Sequence, residues 1–274
     1  MIDIGEFKER LEGVLRSFDK LAVAVSGGVD SMVLAFHAHE TLGEKAAIFH
    51  ATSAAVPPEA TNRVSSYAQK YGWALTLIDA NEFEDENYVS NPVNRCFFCK
   101  TNLYETVAGH TEWPIASGTN LDDLGDYRPG LIAAKEFNVR HPFVEAKIDK
   151  AVVRGLAQLD DLNDLAELPA APCLSSRITT GIAVTPERVS LVHEVETLLK
   201  ETFGALKTVR CRVQAAGVEI QLEPGDLATL ERSEKRKLEK QIVELCKPHF
   251  NSPYVTFAPY AMGSAFLKDS LNVV

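Results

Sequence analysis

Ser26-Gly27-Gly28-Val29-Asp30-Ser31 puts hydroxyls, glycines and a carboxylate into one short stretch, a composition suited to gripping an anion. Glycines let the backbone bend so that successive N–H groups point at one spot, and the positive end of a helix starting there adds to the attraction. The Walker pattern G-x-x-x-x-G-K-[ST] is absent and no lysine follows the second glycine, so the cradle is backbone plus the hydroxyls of Ser26 and Ser31. A second set is Cys96-Phe97-Phe98-Cys99, whose spacing lets a helix or tight turn aim both thiolates at one metal. Cys173, within Pro172-Cys173-Leu174-Ser175-Ser176-Arg177, is the third candidate ligand. Four thiolates would close a structural zinc site, whereas three leave a position open for chemistry. A redox-active or incidental thiol pair, and a zinc site completed by a histidine, are the alternatives. Cys211 and Cys246 lie among apolar neighbours in predicted secondary structure and read as small core or surface side chains.

The loop needs a strand before it and a helix after it. Leu21-Ala22-Val23-Ala24-Val25 reads as a buried strand, and Met32 to Phe36 as an apolar helix face. Ahead of them, Phe7, Leu11, Val14, Leu15 and Phe18 recur at helical spacing. Ala46 to His50 predicts a second strand, with Ala51-Thr52-Ser53 reaching a ligand crevice at its carboxyl end. Pro57-Pro58-Glu59 opens a helix running to about Tyr71. Trp73 to Ile78 gives a third strand, followed by an acidic solvated loop through Glu86. Ile115 to Gly118 gives a fourth strand, leading into Thr119-Asn120-Leu121-Asp122-Asp123. This alternation predicts a doubly wound α/β domain with a parallel sheet. From Pro186 the pattern changes: a helix over Glu187 to Thr202, strands over Lys207 to Val213 and Val218 to Leu222 hinged at Ala216-Gly217, a charged helix of one or two segments over Asp226 to Cys246, and a strand over Tyr254 to Phe257. That order predicts a small α+β domain. The expected division is residues 1–180, carrying the loop and the cysteine site, and residues 181–274. Arg232, Lys235, Arg236, Lys237 and Lys240, interleaved with glutamates, read as the wet face of a helix.

Composition narrows the class. The 274 residues are 46% hydrophobic, enough for a real core. A formal net charge of −10 and a pI near 5.3 argue against a general nucleic-acid binder, whose affinity rests on Lys and Arg. No apolar run approaches the roughly 20 residues that span a bilayer, and the first residues lack the basic and apolar segments of a signal peptide. A cytoplasmic protein without membrane partners is expected. Five cysteines, an odd number, fit a disulfide framework poorly; in a reducing compartment clustered thiols are more often ligands or catalysts.

The S-G-G-x-D-S loop in its strand-loop-helix setting resembles the signature of the pyrophosphatase-loop (PP-loop) ATP enzymes, which cleave ATP between its α- and β-phosphates. The resemblance implies that Ser26, Gly27, Gly28, Val29, Asp30 and Ser31 grip pyrophosphate, that Asp30 helps place magnesium (Mg2+), and that Ser53, Gly118 and Asp122 border the ATP site. The blocks Gly118 to Asp123, Asp126-Tyr127-Arg128-Pro129-Gly130, His141 to Ala146, Lys150 with Val153-Arg154, and Cys173-Leu174-Ser175-Ser176-Arg177 further resemble one branch, covering most of residues 15–225. That branch is the sulfur transferase family that makes the nickel-pincer cofactor of lactate racemase from pyridinium-3,5-biscarboxylic acid mononucleotide.

In that family a substrate carboxylate is adenylated and sulfur displaces AMP. Members with one cysteine, matching Cys173, give up their own sulfur; this chain resembles the members whose three cysteines, here Cys96, Cys99 and Cys173, hold a 4Fe–4S iron–sulfur cluster and use a sulfide or other sulfur donor. Arg177, Arg210 and Arg212 match positions that hold the substrate's phosphate and carboxylates; Ser176, Glu196 and Arg128 are carried over beside them. For Asp122, Asp126 and Arg128 a helix cap or fold-holding salt bridge stands equally open. The chain departs from the family at Ala166-Glu167-Leu168-Pro169, where members often have Trp-Asp-Lys-Pro, and in the tail Ala258 to Ser264, which lacks an arginine. A homo-oligomer is expected. Competing expectations are a transfer-RNA thiolase, an ATP-dependent amide-forming ligase akin to NAD or GMP synthetases, and a non-catalytic binding module.

Overall fold

A computed structural model describes residues 3–125, 128–169, 172–204 and 208–266. In chain order the elements are α1 (Ile4–Leu15), β1 (Leu21–Val25), α2 (Val29–Leu42), β2 (Ala46–Ala51), α3 (Pro58–Tyr71), β3 (Ala74–Ile78), α4 (Glu86–Val89), α5 (Arg95–His110), β4 (Ile115–Ser117), α6 (Pro129–Glu136), α7 (Pro142–Glu145), α8 (Lys150–Leu159) and α9 (Asn163–Ala166). Then come α10 (Pro186–Phe203), β5 (Val209–Gln214), β6 (Gly217–Leu222), α11 (Pro224–Thr229), α12 (Arg232–Cys246) and β7 (Tyr254–Pro259). They form two compact units: Met1–Glu82 with Cys96–Ala171, and Phe83–Arg95 with Pro172–Val274.

The first unit is built on a parallel sheet of order β3-β2-β1-β4. Every residue of β1 is buried, because both faces of the sheet are covered and a strand so placed becomes an unbroken apolar run. On one face Leu11, Leu15, Met32, Val33, Val152 and Leu156 pack from α1, α2 and α8. On the other, Tyr104, Val107, Ala134 and Val139 meet Ala22, Ala24 and Phe49. The chain steps from β1 through β2 to β3 on one side, then returns to place β4 on the other side of β1. The strand order therefore switches direction at β1 and β4, the point at whose carboxyl edge parallel sheets of this kind bind ligands.

The second unit has a three-stranded sheet of order β5-β6-β7, with β5 and β6 antiparallel and β6 and β7 parallel. The parallel step needs a crossover, which α11 and α12 supply. Val189, Val192, Val195 and Leu199 of α10 are buried, as are Val213, Val218, Ile220, Leu238 and Ile242. Cys211 and Cys246 are also fully buried, as small core side chains. Arg232, Arg236, Lys237 and Lys240 of α12 are exposed.

The acidic stretch after β3 differs from the solvated loop expected of it. Glu82–Glu84 forms a 3-10 turn, α4 comes next, and Glu82 is only 5% exposed. Residues 83–95 and 172–180, counted with the first domain by periodicity, belong to the second compact unit. Side chains of Tyr88, Asn91 and Arg95 hydrogen-bond residues 175–182 there, an attachment made by polar atoms that apolar spacing does not report. Among the described residues no helix is long and apolar enough to cross a membrane.

Behind the sheet, His37 of α2 is 2% exposed, with Nε2 3.4 Å from the Asp160 carboxylate, which also pairs with Lys8. Burial pushes its basicity well below that of an ordinary histidine, against the pull of Asp160. Burial lowers His50 in the same way. As pH falls below about 6.5, the unfolded chain takes up protons that these folded histidines refuse, so stability present at neutral pH is lost. The urea unfolding free energy is expected to be lower at pH 5 than at pH 7, and His37→Gln to shrink that difference.

Candidate functional site

β1 ends at Val25 and α2 begins at Val29, with Gly28 at its N-cap. Gly27 has φ +77°, and a Cβ there would lie 2.8 Å from the Ala60 carbonyl oxygen and 2.9 Å from its Cβ. At Gly118, after β4, a Cβ would fall 2.6 Å from the Ser31 nitrogen. Only glycine fits at either place. The Ser26 N–H donates to Ser31 Oγ at 3.1 Å, Ser31 Oγ donates to the Gly28 carbonyl at 3.1 Å, and the two hydroxyl oxygens lie 3.2 Å apart. The hydroxyls thus brace the loop, while the N-terminus of α2 aims its orphan amides into the crevice.

Asp30, in the first turn of α2, accepts from Lys150 Nζ at 2.5 Å and from Asn120 Nδ2 at 3.1 Å. Lys150 opens α8, where its charge opposes the positive end of the helix dipole, and the Asp30 carboxylate offsets this. Asp122 accepts the backbone N–H of Lys150 at 3.0 Å. Asp123 pairs with Arg128 at 2.7 Å. Asp122 therefore takes up the first N–H of α8, whose N-cap is Asp149, and Arg128 takes part in a salt bridge; Asp126 and Tyr127 lie outside the described residues. Ser53 comes after β2 and its Oγ accepts from the Ala55 N–H at 3.2 Å. Lys150 was visible as part of a matching block, yet its place on Asp30 was not; a lysine at a helix start is the one anomaly that signals it.

In the second unit, Arg177 and Glu196 are 4% and 3% exposed and form a two-point pair, Nε to Oε1 at 2.9 Å and Nη2 to Oε2 at 3.2 Å. Arg177 Nη1 also donates to the carbonyls of Pro172 and Cys173, at 2.7 and 3.1 Å, and to Ser176 Oγ at 3.0 Å. Glu196 Oε1 in turn accepts the Cys211 N–H at 3.0 Å. Arg177 is thus turned inward, fixing the backbone of the cysteine block. Arg212 donates from Nε to Gln221 Oε1 at 3.1 Å and from Nη1 to the Ser176 carbonyl at 3.0 Å. Arg210, two residues away on β5 and on the same side of the strand, is half-buried, its guanidinium 5.8 Å from the Tyr260 ring centre. Burial, and next the charge of Arg177, lower the proton affinity of Arg210 and Arg212. Three guanidinium groups thus lie within electrostatic reach of one another, a grouping suited to an anion.

The cysteine block has a second anchor. The Tyr88 hydroxyl lies 2.7 Å from Ser175 Oγ, and Asn91 Nδ2 donates to the carbonyls of Thr179 and Ile182, each at 2.9 Å. Arg95 Nη1 bridges Asn91 Oδ1 at 2.5 Å and the Ser175 carbonyl at 3.1 Å. All three side chains are at most 2% exposed. Cys173 itself is exposed. Cys96 and Cys99, in the first unit, are half-buried on consecutive turns of α5. Among the described residues no group of three or more His, Cys, Asp or Glu side chains is gathered to hold a metal.

The parallel sheet with its alternating helices, and the glycine loop at its switch point, make an α/β fold consistent with a Rossmann-like or PP-loop domain. No family model matches the chain. An uncharacterized protein of Synechocystis sp. is 37% identical over 225 residues, spanning 80% of this chain and 82% of its own, and the chain belongs to that protein's family. The pyridinium-3,5-bisthiocarboxylic acid mononucleotide synthase of Lactiplantibacillus plantarum is 25% identical over 87% of this chain and 88% of its own. One subunit of the glutamine-hydrolyzing GMP synthase of Thermococcus kodakarensis is 26% identical over 82% of this chain and 78% of its own. Loop, sheet and relatives together support ATP-dependent PP-loop chemistry.

Arg177→Ala would strand the buried Glu196 carboxylate, and a cost of about 3–5 kcal/mol is expected in urea unfolding. The double variant with Glu196→Gln should recover part of that loss.

Proposed function

We propose that this chain is an ATP-dependent sulfur transferase that adenylates a substrate carboxylate and exchanges its oxygen for sulfur, acting on a pyridinium mononucleotide in nickel-pincer cofactor synthesis. The observation that carries the reading is the braced glycine loop at the switch point, with Asp30 and Lys150 beside it. The relationship to the bisthiocarboxylic acid mononucleotide synthase supports the substrate class.

In this reading the amides of Gly27 to Ser31 and the start of α2 hold the β- and γ-phosphates, while Ser53 and Gly118 border the adenosine. Asp30 would contribute to holding magnesium, which when bound would supply charge to offset that of the phosphates, and Lys150, paired with Asp30, keeps a cation at the loop. A carboxylate oxygen bonds the α-phosphorus as the bond to the pyrophosphate oxygen breaks. Hydrosulfide then forms a C–S bond at the acyl carbon, the C–O bond breaks, AMP leaves with that oxygen, and a proton is released. Arg210 and Arg212 receive the substrate's phosphate and carboxylates; Arg177, Glu196 and Ser176 keep the Cys173 backbone in place. Cys96 and Cys99, one helical turn apart, and the exposed Cys173 have the donor chemistry to hold a 4Fe–4S cluster, which when bound supplies exchangeable sulfide at the iron left without a thiolate.

The likeness to a GMP synthase favours a second reading, an amide-forming ligase in which ammonia attacks the same adenylate. Anaerobic incubation with magnesium, ATP, hydrosulfide and the biscarboxylic mononucleotide separates the two by product mass. The expected product is a thiocarboxylate, with iron and labile sulfide in the purified chain. Asp30→Asn is expected to lower pyrophosphate release about a hundredfold. Cys96→Ala should leave that release near the wild-type rate while lowering iron content and ending repeated turnover. Ammonia-dependent AMP release from an iron-free preparation, or multiple turnover by Cys96→Ala, contradicts the reading.

A further inference from the structure

We infer that Arg63, on α3, is a pyrophosphate-binding residue that meets the departing β- and γ-phosphates at the Gly27 end of the loop, an assignment that rests on reading Ser26 to Ser31 as a pyrophosphate grip. Arg63 Nη1 donates to the Gly27 carbonyl at 2.7 Å, so its guanidinium lies against the loop itself. The side chain is half-buried, and among the described residues no carboxylate forms an ion pair with it. A guanidinium carries five donors in a rigid fork, and the Gly27 carbonyl occupies one.

Fastening the loop does not require this charge. Ala60, three residues earlier on α3, already touches Gly27, where a Cβ would come within 2.8 Å of its carbonyl oxygen. Fully buried His50 holds the strand end as well: its Nδ1 lies 2.9 Å from the Val25 carbonyl, so it donates there, and Nε2 accepts from Thr61 Oγ1 at 3.0 Å. These neutral contacts tie β1, β2 and α3 together around the loop. The cation added by Arg63 then has a different use. Negative charge accumulates on the pyrophosphate as its bond to the α-phosphorus breaks, and Lys150, the other cation described at the loop, is engaged with Asp30. Spare N–H groups beside Gly27 can follow that charge, giving short charge-assisted hydrogen bonds to phosphate oxygens.

Calorimetric titration of the full chain with magnesium pyrophosphate, ATP and AMP tests this in the wild type, Arg63→Gln and Arg63→Lys, with melting temperature recorded for each. Arg63→Gln is expected to weaken pyrophosphate and ATP by about ten- to a hundredfold while leaving AMP unchanged. Arg63→Lys should recover part of the pyrophosphate affinity, since it keeps the charge but not the fork. Unchanged pyrophosphate affinity in Arg63→Gln overturns the assignment while leaving the loop reading intact. Equal losses for pyrophosphate and AMP, with a fallen melting temperature that Arg63→Lys restores without restoring affinity, reduce Arg63 to a prop and also overturn it. A wild-type chain that binds neither ATP nor pyrophosphate overturns the loop reading itself, and this inference with it.

Discussion

At the carboxyl edge of the first sheet, backbone from three places is pressed together with no room for a side chain. Gly27 meets Ala60 of α3 on one side, and Gly118, leaving β4, meets the first turn of α2 at Ser31 on the other. The approach follows from β1 lying between β2 and β4, the point of the strand order at which parallel sheets of this kind bind ligands. Backbone amides, a helix start, Asp30, Asn120 and Lys150 collect there. A methyl group at either glycine would force backbone against backbone, so the anion site and the packing of the sheet edge are the same constraint.

The second unit answers a different problem, how to bury charge. Arg177 and Glu196 leave water together, and each has its remaining polar atoms taken up by backbone: Pro172 and Cys173 carbonyls on one side, the Cys211 N–H on the other. A buried pair is tolerable only with that degree of satisfaction. The pair fixes the conformation leading into and out of Cys173, and Tyr88, Asn91 and Arg95 fix the residues from Ser175 to Ile182. Burial and the charge of Arg177 lower the proton affinity of Arg210 and Arg212, and a bound phosphate or carboxylate would oppose both effects.

The scaffold was largely legible in the sequence because it rests on apolar burial. β1 reads off residue for residue as Leu21 to Val25, and α3 from its prolines to Tyr71, since a strand covered on both faces and an amphipathic helix each leave a periodic trace. Polar burial leaves no such trace. Asn91 reaches carbonyls 88 and 91 residues further along the chain, and Arg95 one 80 residues along, so no spacing in the segment before Cys96 reported its attachment. Arg177 was expected to face a ligand because it matches such a position in the resembled family; every acceptor described for it is internal. From sequence Lys150 could be named only as part of a matching block, and Arg63 not at all; their contacts with Asp30 and Gly27 come from the strand order, which brings α8 and α3 to the loop.

The account stands on a carboxylate oxygen attacking the α-phosphorus of ATP at this loop. Oxygen-18 in the substrate carboxylates reports that step without reference to the sulfur source. Mass spectrometry of the nucleotide released in a single turnover should find the label in AMP, carried there when sulfur breaks the C–O bond. Label found in orthophosphate alongside ADP, or AMP formed without label while sulfur is transferred, would contradict it.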